Sequence, residues 1–328
     1  MRLTRLTTWG GGLAAALLTL ALFPVSAQAD TDPGPPLETP VAELAKALHC
    51  QAGQADDGKP TVLFIPGTGS KGEEAFAWNY MAELKKSGYP TCWVDYPSRG
   101  LNDMQETVEY VVYAARAVHE RTGRKVDLVG HSQGGLQAAW ALRFWPDLAA
   151  KVDDVVTLGA PFQGTSIASA CRVVSQITGC PAASLQFARD SNWTKALTAN
   201  GTPMPAGPSY TAVHSLADES VAIDGQPSVL PGARNIGVQD ICPGRQWPSH
   251  MALLVDLVSY KLAADAIGHP GPADPGRIDR ADCATLVMPL NTEEALQTLP
   301  SLLGLPLDLL LHGRPWVREE PPLRPYAR

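Results

Sequence analysis

The chain of 328 residues lacks the patterns that mark nucleic-acid-binding, metal-binding and nucleotide-binding proteins. Its 26 lysines and arginines form no cluster and are outnumbered by 33 aspartates and glutamates, which argues against nucleic acid as a partner. No Cys-x-x-Cys or His-x-x-x-His pair occurs, so no metal site is predicted. The glycine-rich stretch at residues 67–72 lacks the third glycine and the Gly-Lys-Ser/Thr ending of nucleotide-binding loops, so no nucleotide cofactor is predicted.

A long apolar run is also missing after residue 30, and the short run before it has the pattern of an export signal. A basic start precedes an apolar run at residues 10–23 and a small-residue cleavage site, Ala27-Gln28-Ala29. The run is short for a membrane span and ends at a proline. We therefore predict a signal peptide over residues 1–29, cleavage next to Asp30, and a secreted extracellular protein whose mature chain has no transmembrane segment.

The six cysteines all lie after the predicted signal peptide. An even number of cysteines in an exported chain favours three disulfides, although their spacing allows many connectivities. Cys171 and Cys180 are close together and would close a small loop. The length of residues 30–328 suits one large α/β domain, so we predict a single catalytic domain there.

Short apolar runs alternate with helical patterns along the chain. Uninterrupted apolar runs are typical of strands buried on both faces of a parallel sheet. The predicted strands cover residues 61–65, 91–95, 125–129, 155–159, 209–214 and 233–238. The predicted helices cover residues 41–49, 73–87, a long helix capped by Asn102 and ended by Gly123, 133–144 and 250–267. The alternation predicts an α/β fold with one doubly wound, mostly parallel sheet and helices on both faces.

One motif, Gly130-His131-Ser132-Gln133-Gly134, lies between a predicted strand and a predicted helix. A serine on such a sharp turn is strained and exposes its hydroxyl at the end of a sheet, and the flanking glycines let strand and helix approach. The same pattern also arises by chance, as an ordinary glycine turn. Its place between strand and helix favours Ser132 as a nucleophile, with Gly130 and Gly134 as the elbow glycines.

A serine nucleophile needs an imidazole to take its proton and a carboxylate to orient that imidazole. On this type of fold the chain order is serine, acid, histidine. His250, His269 and His312 follow a plausible acid. We predict His250 as the base because it follows a strand through a Cys-Pro-Gly loop, and interpret His269 as a surface C-cap and His312 as part of a leucine-rich tail.

The acid should follow the strand at residues 209–214, and Asp218 comes directly after it. We therefore predict Asp218 as the acid. The alternatives are that Asp218 only shapes a turn, and that Glu219 or Asp224 is the acid instead.

The negative oxygen of the reaction intermediate needs at least two hydrogen-bond donors. The backbone N–H of Gln133 is one predicted donor, and the loop that follows the strand at residues 61–65 should supply the other. Thr68 in that loop could add its hydroxyl.

Eight short motifs, in register over nearly all of residues 30–328, carry a resemblance to a known family. They are Leu63-Phe-Ile-Pro-Gly-Thr-Gly-Ser70, Cys92-Trp93, Leu101-Asn-Asp103, Ser132-Gln-Gly-Gly-Leu136, Lys151-Val-Asp153, Gly164-Thr165, Asp218-Glu219 and Pro325-Tyr-Ala-Arg328. The sequence resembles the family of Candida antarctica lipase B and its bacterial relatives. The resemblance implies an α/β-hydrolase fold, cofactor-free hydrolysis of acylglycerols and other esters, and transesterification when water is scarce.

Carried over by position, the resemblance implies the same site residues that the motifs predict. These are Ser132 as nucleophile, Asp218 as orienting acid, His250 as base, and Thr68 and Gln133 at the oxyanion hole. It also implies disulfides between Cys50 and Cys92 and between Cys242 and Cys283, which leaves Cys171 to pair with Cys180.

The sequence departs from the family in three places. Gly130-His131 stands where the fungal enzyme has Thr-Trp, and Pro161 stands where the family has an acid near the acyl pocket. The pair of Cys171 and Cys180 falls in the predicted lid and substrate region, about residues 162–208, where the family has a small mobile lid. The leucine-rich residues 291–313, which start with a capping pattern, match the family's apolar helix over the pocket mouth. Their leucines could contact lipid or pack in the core.

Together these features predict a monomeric, secreted serine lipase or carboxylesterase that acts on lipid or ester substrates, including those at a lipid–water interface, through an acyl-enzyme. A polyester or wax-ester hydrolase with the same triad is the alternative. A secreted non-catalytic binding protein on a hydrolase scaffold is a more distant one, and its signature would be a missing triad residue.

Overall fold

The computed structural model describes residues 32–51, 58–199, 204–221, 229–298 and 316–328. The strands are β1 (Leu48–Cys50), β2 (Thr61–Ile65), β3 (Thr91–Val94), β4 (Val126–His131), β5 (Val152–Leu158), β6 (Ser209–His214) and β7 (Arg234–Gly237). The helices are α1 (Val41–Ala47), α2 (Gly72–Phe76), α3 (Ala82–Lys86), α4 (Met104–Thr122), α5 (Gln133–Phe144), α6 (Leu148–Lys151), α7 (Ser166–Thr178), α8 (Ala182–Gln186), α9 (Asn192–Thr198), α10 (Val238–Ile241) and α11 (Leu257–Gly268). One more helix starts at residue 292 and continues to residue 298, where this described range ends.

The strands form one seven-stranded sheet in the order β1-β3-β2-β4-β5-β6-β7. β1 pairs antiparallel with β3 at one edge, and the other neighbours are parallel. The predicted α/β fold with a mostly parallel sheet is therefore confirmed. Because parallel strands end at the same edge, the loops after β2, β4, β6 and β7 meet there.

The sheet separates two apolar cores, and the alternation of side chains along β2 shows why the strand is buried throughout. Leu63 and Ile65 pack with helices α4 and α5 on one face. Val62 and Phe64 pack with α2 and α11 on the other face. Every residue of β2 is buried, as expected for a strand covered by helices on both sides.

The edge strand β1 was not predicted, because residues 41–49 were assigned to one helix. The helix ends at Ala47, and the next three residues pair with β3, with Cys50 opposite Cys92. A disulfide joins these two cysteines. Pairing with a distant strand therefore overrides the local helical pattern, which periodicity alone does not reveal.

Two predicted helix boundaries were wrong. The cap of α4 is Asp103 rather than Asn102, because the Asp103 carboxylate accepts a hydrogen bond from the backbone N–H of Gln105 at 2.9 Å. The predicted helix at residues 250–267 is divided into a 3₁₀ turn, Met251–Leu254, and α11. Asp256 accepts from the backbone N–H of Ser259 at 2.7 Å and so starts the second helix anew.

The predicted helix at residues 73–87 contains an unpredicted π-helical segment, Ala77–Met81. Within it, the hydroxyl of Tyr80 donates to the carbonyl oxygen of Leu253 at 2.9 Å. This buried hydrogen bond ties α2 and α3 to the turn that follows His250.

The predicted lid and substrate region contains helices α7, α8 and α9, and the longest of them, α7, is tied to the C-terminal residues. Cys180 and Val317 exchange backbone hydrogen bonds at 2.8 Å, and the hydroxyl of Ser175 in α7 donates to the carbonyl of Arg318 at 3.0 Å. The structure contains the three disulfides that the resemblance implied, Cys50–Cys92, Cys171–Cys180 and Cys242–Cys283.

Within the described ranges, no helix combines the length and apolar character needed to cross a bilayer. The predicted signal peptide at residues 1–29 lies outside the described residues. So does most of the predicted apolar helix at residues 291–313, which is described only to residue 298.

Candidate active site

Ser132 lies on a sharp turn between β4 and α5, with φ 53° and ψ −121°. A non-glycine residue in this region is strained by about 1–3 kcal/mol. The neighbouring glycines make the turn possible. A Cβ atom on Gly130 would lie 2.5 Å from the backbone of Gly134, and one on Gly134 would lie 2.0 Å from the carbonyl oxygen of Ile65. The close approach of β4, α5 and β2 therefore requires glycine at both positions and lifts the Ser132 hydroxyl to the end of the sheet.

The structure brings the three predicted triad residues together. The Nε2 atom of His250 is 2.9 Å from Oγ of Ser132, and its Nδ1 atom is 2.8 Å from Oδ2 of Asp218. Asp218 is buried, and its other oxygen accepts from the backbone N–H groups of Ser220 and Val221 at 2.9 and 3.0 Å. Such an array can move a proton from serine to imidazole while the carboxylate fixes the tautomer.

The alternative residues take other places. Glu219 accepts from the backbone N–H of His250 at 3.0 Å and is not hydrogen-bonded to the imidazole. His269 is at the C-cap of α11, where its Nδ1 is 3.0 Å from the carbonyl oxygen of Asp265. Asp224 and His312 lie outside the described residues.

A second histidine, His131, contacts the site and was not assigned a role from the sequence. Its Nε2 atom is 3.0 Å from the backbone carbonyl oxygen of His250, and the two rings are 4.9 Å apart. Burial, with a smaller effect of His250, lowers the pKa of His131 to about 3. The ring is therefore neutral at physiological pH, and its Nε2–H donates to that carbonyl. Its position directly before the serine was the only signal in the sequence.

The two predicted oxyanion donors come from the residue after Ser132 and from the loop that follows β2. Gln133 is the first residue of α5, where backbone N–H groups have no partner within the helix and the helix dipole favours negative charge. Thr68 follows β2, and its hydroxyl donates to Oε1 of Gln133 at 3.0 Å. Within the described chain neither backbone N–H makes a hydrogen bond. A Cβ atom on Gly67 would be 3.1 Å from Cβ of Ser132, which shows how closely this loop approaches the serine.

An apolar cavity of about 480 Å³ opens beside Ser132 and His250. Besides these two residues, its walls are formed by Pro161, Thr165, Ala168, Ala170, Cys171, Val174, Cys180, Ser184, Phe187, Ser220 and Val221. Two of the three departures from the family, Pro161 and the Cys171–Cys180 disulfide, thus belong to the cavity wall. An enclosure of this size and character suits the apolar part of a small organic molecule.

Among the described residues, three aspartates are close enough together to hold a metal ion. The carboxylate oxygens of Asp127, Asp153 and Asp154 lie within 4.8 Å of one another. This cluster lies near the starts of β4 and β5, whereas Ser132 follows the end of β4. Burial, reinforced by Asp154, raises the pKa of Asp127 well above its usual range. Burial also raises the pKa of Asp154 to about 7. Protonation can therefore neutralise Asp127 and Asp154, and the cluster lies at the opposite end of β4 from Ser132.

Comparison with known proteins decides the family. Residues 62–232, more than half of the chain, match the alpha/beta hydrolase family. The chain belongs to the alpha/beta hydrolase family.

This hydrolase is 29% identical to lipase B of Pseudozyma antarctica over 343 residues, which cover 100% of this chain and 96% of that protein. The crystal structure of Aspergillus fumigatus lipase B superimposes with a TM-score of 0.78 and 26% identity, covering 96% of this chain and 78% of that one. A Bacillus licheniformis lipase in its propeptide form shares the fold, with a TM-score of 0.53, 20% identity, and coverage of 69% of this chain and 54% of that one. The resemblance to the lipase B family is confirmed, and it supports a hydrolase of the lipase or esterase type.

Proposed function

We propose that this hydrolase is a secreted serine lipase or carboxylesterase that cleaves acylglycerols or other lipid esters through an acyl-enzyme. Ser132 is the nucleophile, His250 the base and Asp218 the acid that orients it. The observation that carries the proposal is the hydrogen-bonded array of these residues, with distances of 2.9 and 2.8 Å, at the wall of an apolar cavity.

In the first half of the reaction His250 takes the proton of the Ser132 hydroxyl through Nε2, and Oγ attacks the ester carbonyl carbon. The carbonyl oxygen becomes negative and is stabilised by the backbone N–H groups of Gln133 and Thr68, each worth about 3 kcal/mol in such sites. The hydroxyl of Thr68 donates to Oε1 of Gln133 instead. The C–O bond of the ester then breaks, and His250 returns the proton to the leaving alcohol. The product is an ester between the acyl group and Ser132.

In the second half a water molecule gives a proton to Nε2 of His250 and attacks the acyl carbon. The bond to Oγ breaks, Ser132 recovers its proton, and the carboxylic acid leaves. An alcohol in place of water gives transesterification by the same steps. No metal or cofactor takes part.

The cavity wall supports a substrate with an apolar acyl group, because it is formed mainly by apolar atoms next to the serine. Helix α7 contributes Val174 to this wall and exposes Val173 and Ile177, whose exposed fractions are 73% and 78%. Exposed apolar side chains beside a cavity suit contact with aggregated lipid. Secretion is supported by the pairing of all six cysteines, which is typical of oxidising compartments.

Replacement of Ser132 by alanine tests the proposal. Ser132→Ala should abolish hydrolysis of a chromogenic acyl ester and covalent labelling by a fluorophosphonate, while circular dichroism stays unchanged. Ser87→Ala is the matched control, since Ser87 is exposed at the end of α3 and is not part of the cavity wall, and it should keep both hydrolysis and labelling. Retention of hydrolysis by Ser132→Ala would refute the assignment. Failure of the wild-type protein both to hydrolyse esters and to take the label would favour a non-catalytic protein.

A further inference from the structure

A turn of left-handed backbone at residues 98–100 contacts both the loop that carries Thr68 and the side chain of Gln133. The φ angles of Ser98, Arg99 and Gly100 are 49°, 51° and 72°. Two of these residues are not glycine, so the backbone is strained there. Strain of this kind persists where surrounding contacts hold it, and it is concentrated at functional sites.

On one side the turn holds the loop that carries Thr68. The carbonyl oxygen of Arg99 accepts from the backbone N–H of Gly69 at 2.8 Å, and Nη1 of Arg99 donates to the Gly69 carbonyl at 3.4 Å. Glu74 in α2 fixes the guanidinium, with Nη2 3.1 Å from Oε1. Arg99 and Glu74 are both buried. Since Gly69 directly follows Thr68, these contacts fix the position of the Thr68 donor.

On the other side the turn holds Gln133. The carbonyl oxygen of Gly100 accepts from Nε2 of Gln133 at 3.0 Å, and Oε1 of Gln133 accepts from the Thr68 hydroxyl at 3.0 Å. The hydrogen bonds thus form a closed circuit from the turn to Gly69 and Thr68, on to Gln133, and back to the turn. A Cβ atom on Gly100 would lie 2.5 Å from Oε1 of Gln133, so any larger residue there must displace the Gln133 amide from the circuit.

We propose that Arg99, Gly100 and Glu74 are positioning residues of the oxyanion hole, which set the separation between the donors of Thr68 and Gln133. This inference rests on the proposed function, because the donors act only if an ester reacts at Ser132. The donors bind the negative oxygen more strongly than the ester carbonyl, so a small displacement lowers kcat more than it raises KM.

The substitution Gly100→Ala tests the proposal by adding a methyl group against Gln133. We expect kcat to fall about 10- to 100-fold with KM within about threefold, since small misplacements in preorganised sites have effects of this size. Gly123→Ala is the matched control, because Gly123 has a similar φ of 65° but no atom within 4 Å of the added Cβ. It should lower thermal stability and leave kcat within about twofold.

A second variant, Arg99→Lys, keeps a positive charge beside Glu74 but lacks the forked guanidinium. Its kcat should fall about tenfold, and the rate at which a phosphonate ester labels Ser132 should fall in parallel, because the phosphonyl oxygen occupies the same hole. If Gly100→Ala and Arg99→Lys both match Gly123→Ala in kcat and labelling rate while the wild-type protein is active, the positioning role is wrong and the proposed function stands. If the wild-type protein neither hydrolyses nor labels, both fail.

Discussion

Two neighbouring carboxylates, Asp218 and Glu219, contact His250 at different atoms, and the difference separates their roles. Asp218 meets the imidazole at Nδ1, whereas Glu219 accepts from the backbone N–H. The first contact determines which ring nitrogen carries the proton. The second holds the chain that bears the ring, together with the hydrogen bond from His131 to the His250 carbonyl.

The substitution Asp218→Asn should lower kcat about 10³- to 10⁴-fold, because an amide in place of the carboxylate stabilises the wrong tautomer of the imidazole. The amide oxygen can still accept from Ser220 and Val221, so the fold should be retained. Steady-state kinetics on a soluble acyl ester measure the effect. Glu219→Gln is the control and should keep kcat within about threefold, since the amide oxygen can still accept from the His250 N–H. Near-normal activity in Asp218→Asn with a large loss in Glu219→Gln would transfer the acid role to Glu219.

At the scale of elements, the wall of the cavity depends on how α7 is held. The disulfide ties Cys171, in the middle of α7, to Cys180, whose backbone is hydrogen-bonded to that of Val317. Both cysteines line the cavity. The hydrogen bond from Ser175 to Arg318 adds a second tie that does not depend on the disulfide. Removing the bridge should therefore loosen the wall without detaching the helix.

We predict that the double substitution of Cys171 and Cys180 by alanine changes the ratio of kcat/KM for long-chain and short-chain p-nitrophenyl esters by at least about threefold, which is at least about 0.6 kcal/mol in transition-state binding. The control removes Cys50 and Cys92, which lie at the edge of the sheet. Because its sequence separation is 42 rather than 9, the control should lose more stability, about 4 against about 2.5 kcal/mol, and leave the ratio unchanged. Equal ratios in the two variants would show that the bridge does not shape the cavity.

The elements that surround the triad were predictable because each has a local signal. Uninterrupted apolar runs marked the strands of the sheet centre, and glycines marked the elbow and the end of α4. The elements that were missed depend on distant partners. β1 exists because Cys50 and its neighbours pair with β3. The predicted helix at residues 250–267 is interrupted where Val255 and Leu257 form backbone hydrogen bonds with Met288 and Leu286, whereas the sequence showed one continuous helical pattern.

The same distinction applies within the site. Ser132, Asp218 and His250 were predicted from the chain order of serine, acid and histidine on this type of sheet. In the structure, hydrogen bonds connect their side chains. Arg99 and His131 carry no such signal, because their roles arise from contacts with Gly69 and His250 that lie far away in the chain.

At the scale of the whole molecule, both ends of the described chain pack on the face of the sheet that α4 and α5 cover. The backbone N–H groups of Glu38 and Thr39 donate to the buried carboxylate of Glu109 in α4 at 2.9 and 2.7 Å. Near the C-terminus, the N–H of Arg324 donates to Oε1 of Gln105 at 2.7 Å. The described residues before α1 form no helix or strand, and these hydrogen bonds anchor part of them to α4.

One end of the sheet also buries carboxyl groups whose pKa values are raised. The end of the sheet that follows β4 carries the proposed triad, while the starts of β4 and β5 bury Asp127 and Asp154. Both pKa values are raised in the folded chain, that of Asp154 to about 7. In the unfolded chain both carboxyl groups titrate near 4. At Asp154 the folded state consequently binds more protons between about pH 4 and pH 7, so the stabilising effect of its raised pKa is complete below pH 4 and is lost as pH rises through 7.

We therefore predict that the contribution of Asp154 makes the protein less stable at pH 8 than at pH 5, and that Asp154→Asn removes this part of the loss. The amide has no charge to bury, so Asp154→Asn should raise Tm by a few degrees at pH 8 and change it little at pH 5. In a protein of this size, about 1 kcal/mol of stability corresponds to 2–4 °C in Tm. Thermal unfolding followed by circular dichroism across this range measures both effects. Glu120→Gln, which removes an exposed carboxylate on α4, is the control and should leave the pH dependence unchanged. A Tm difference between Asp154→Asn and the wild-type protein that is the same at pH 5 and pH 8 would contradict the raised pKa as its cause.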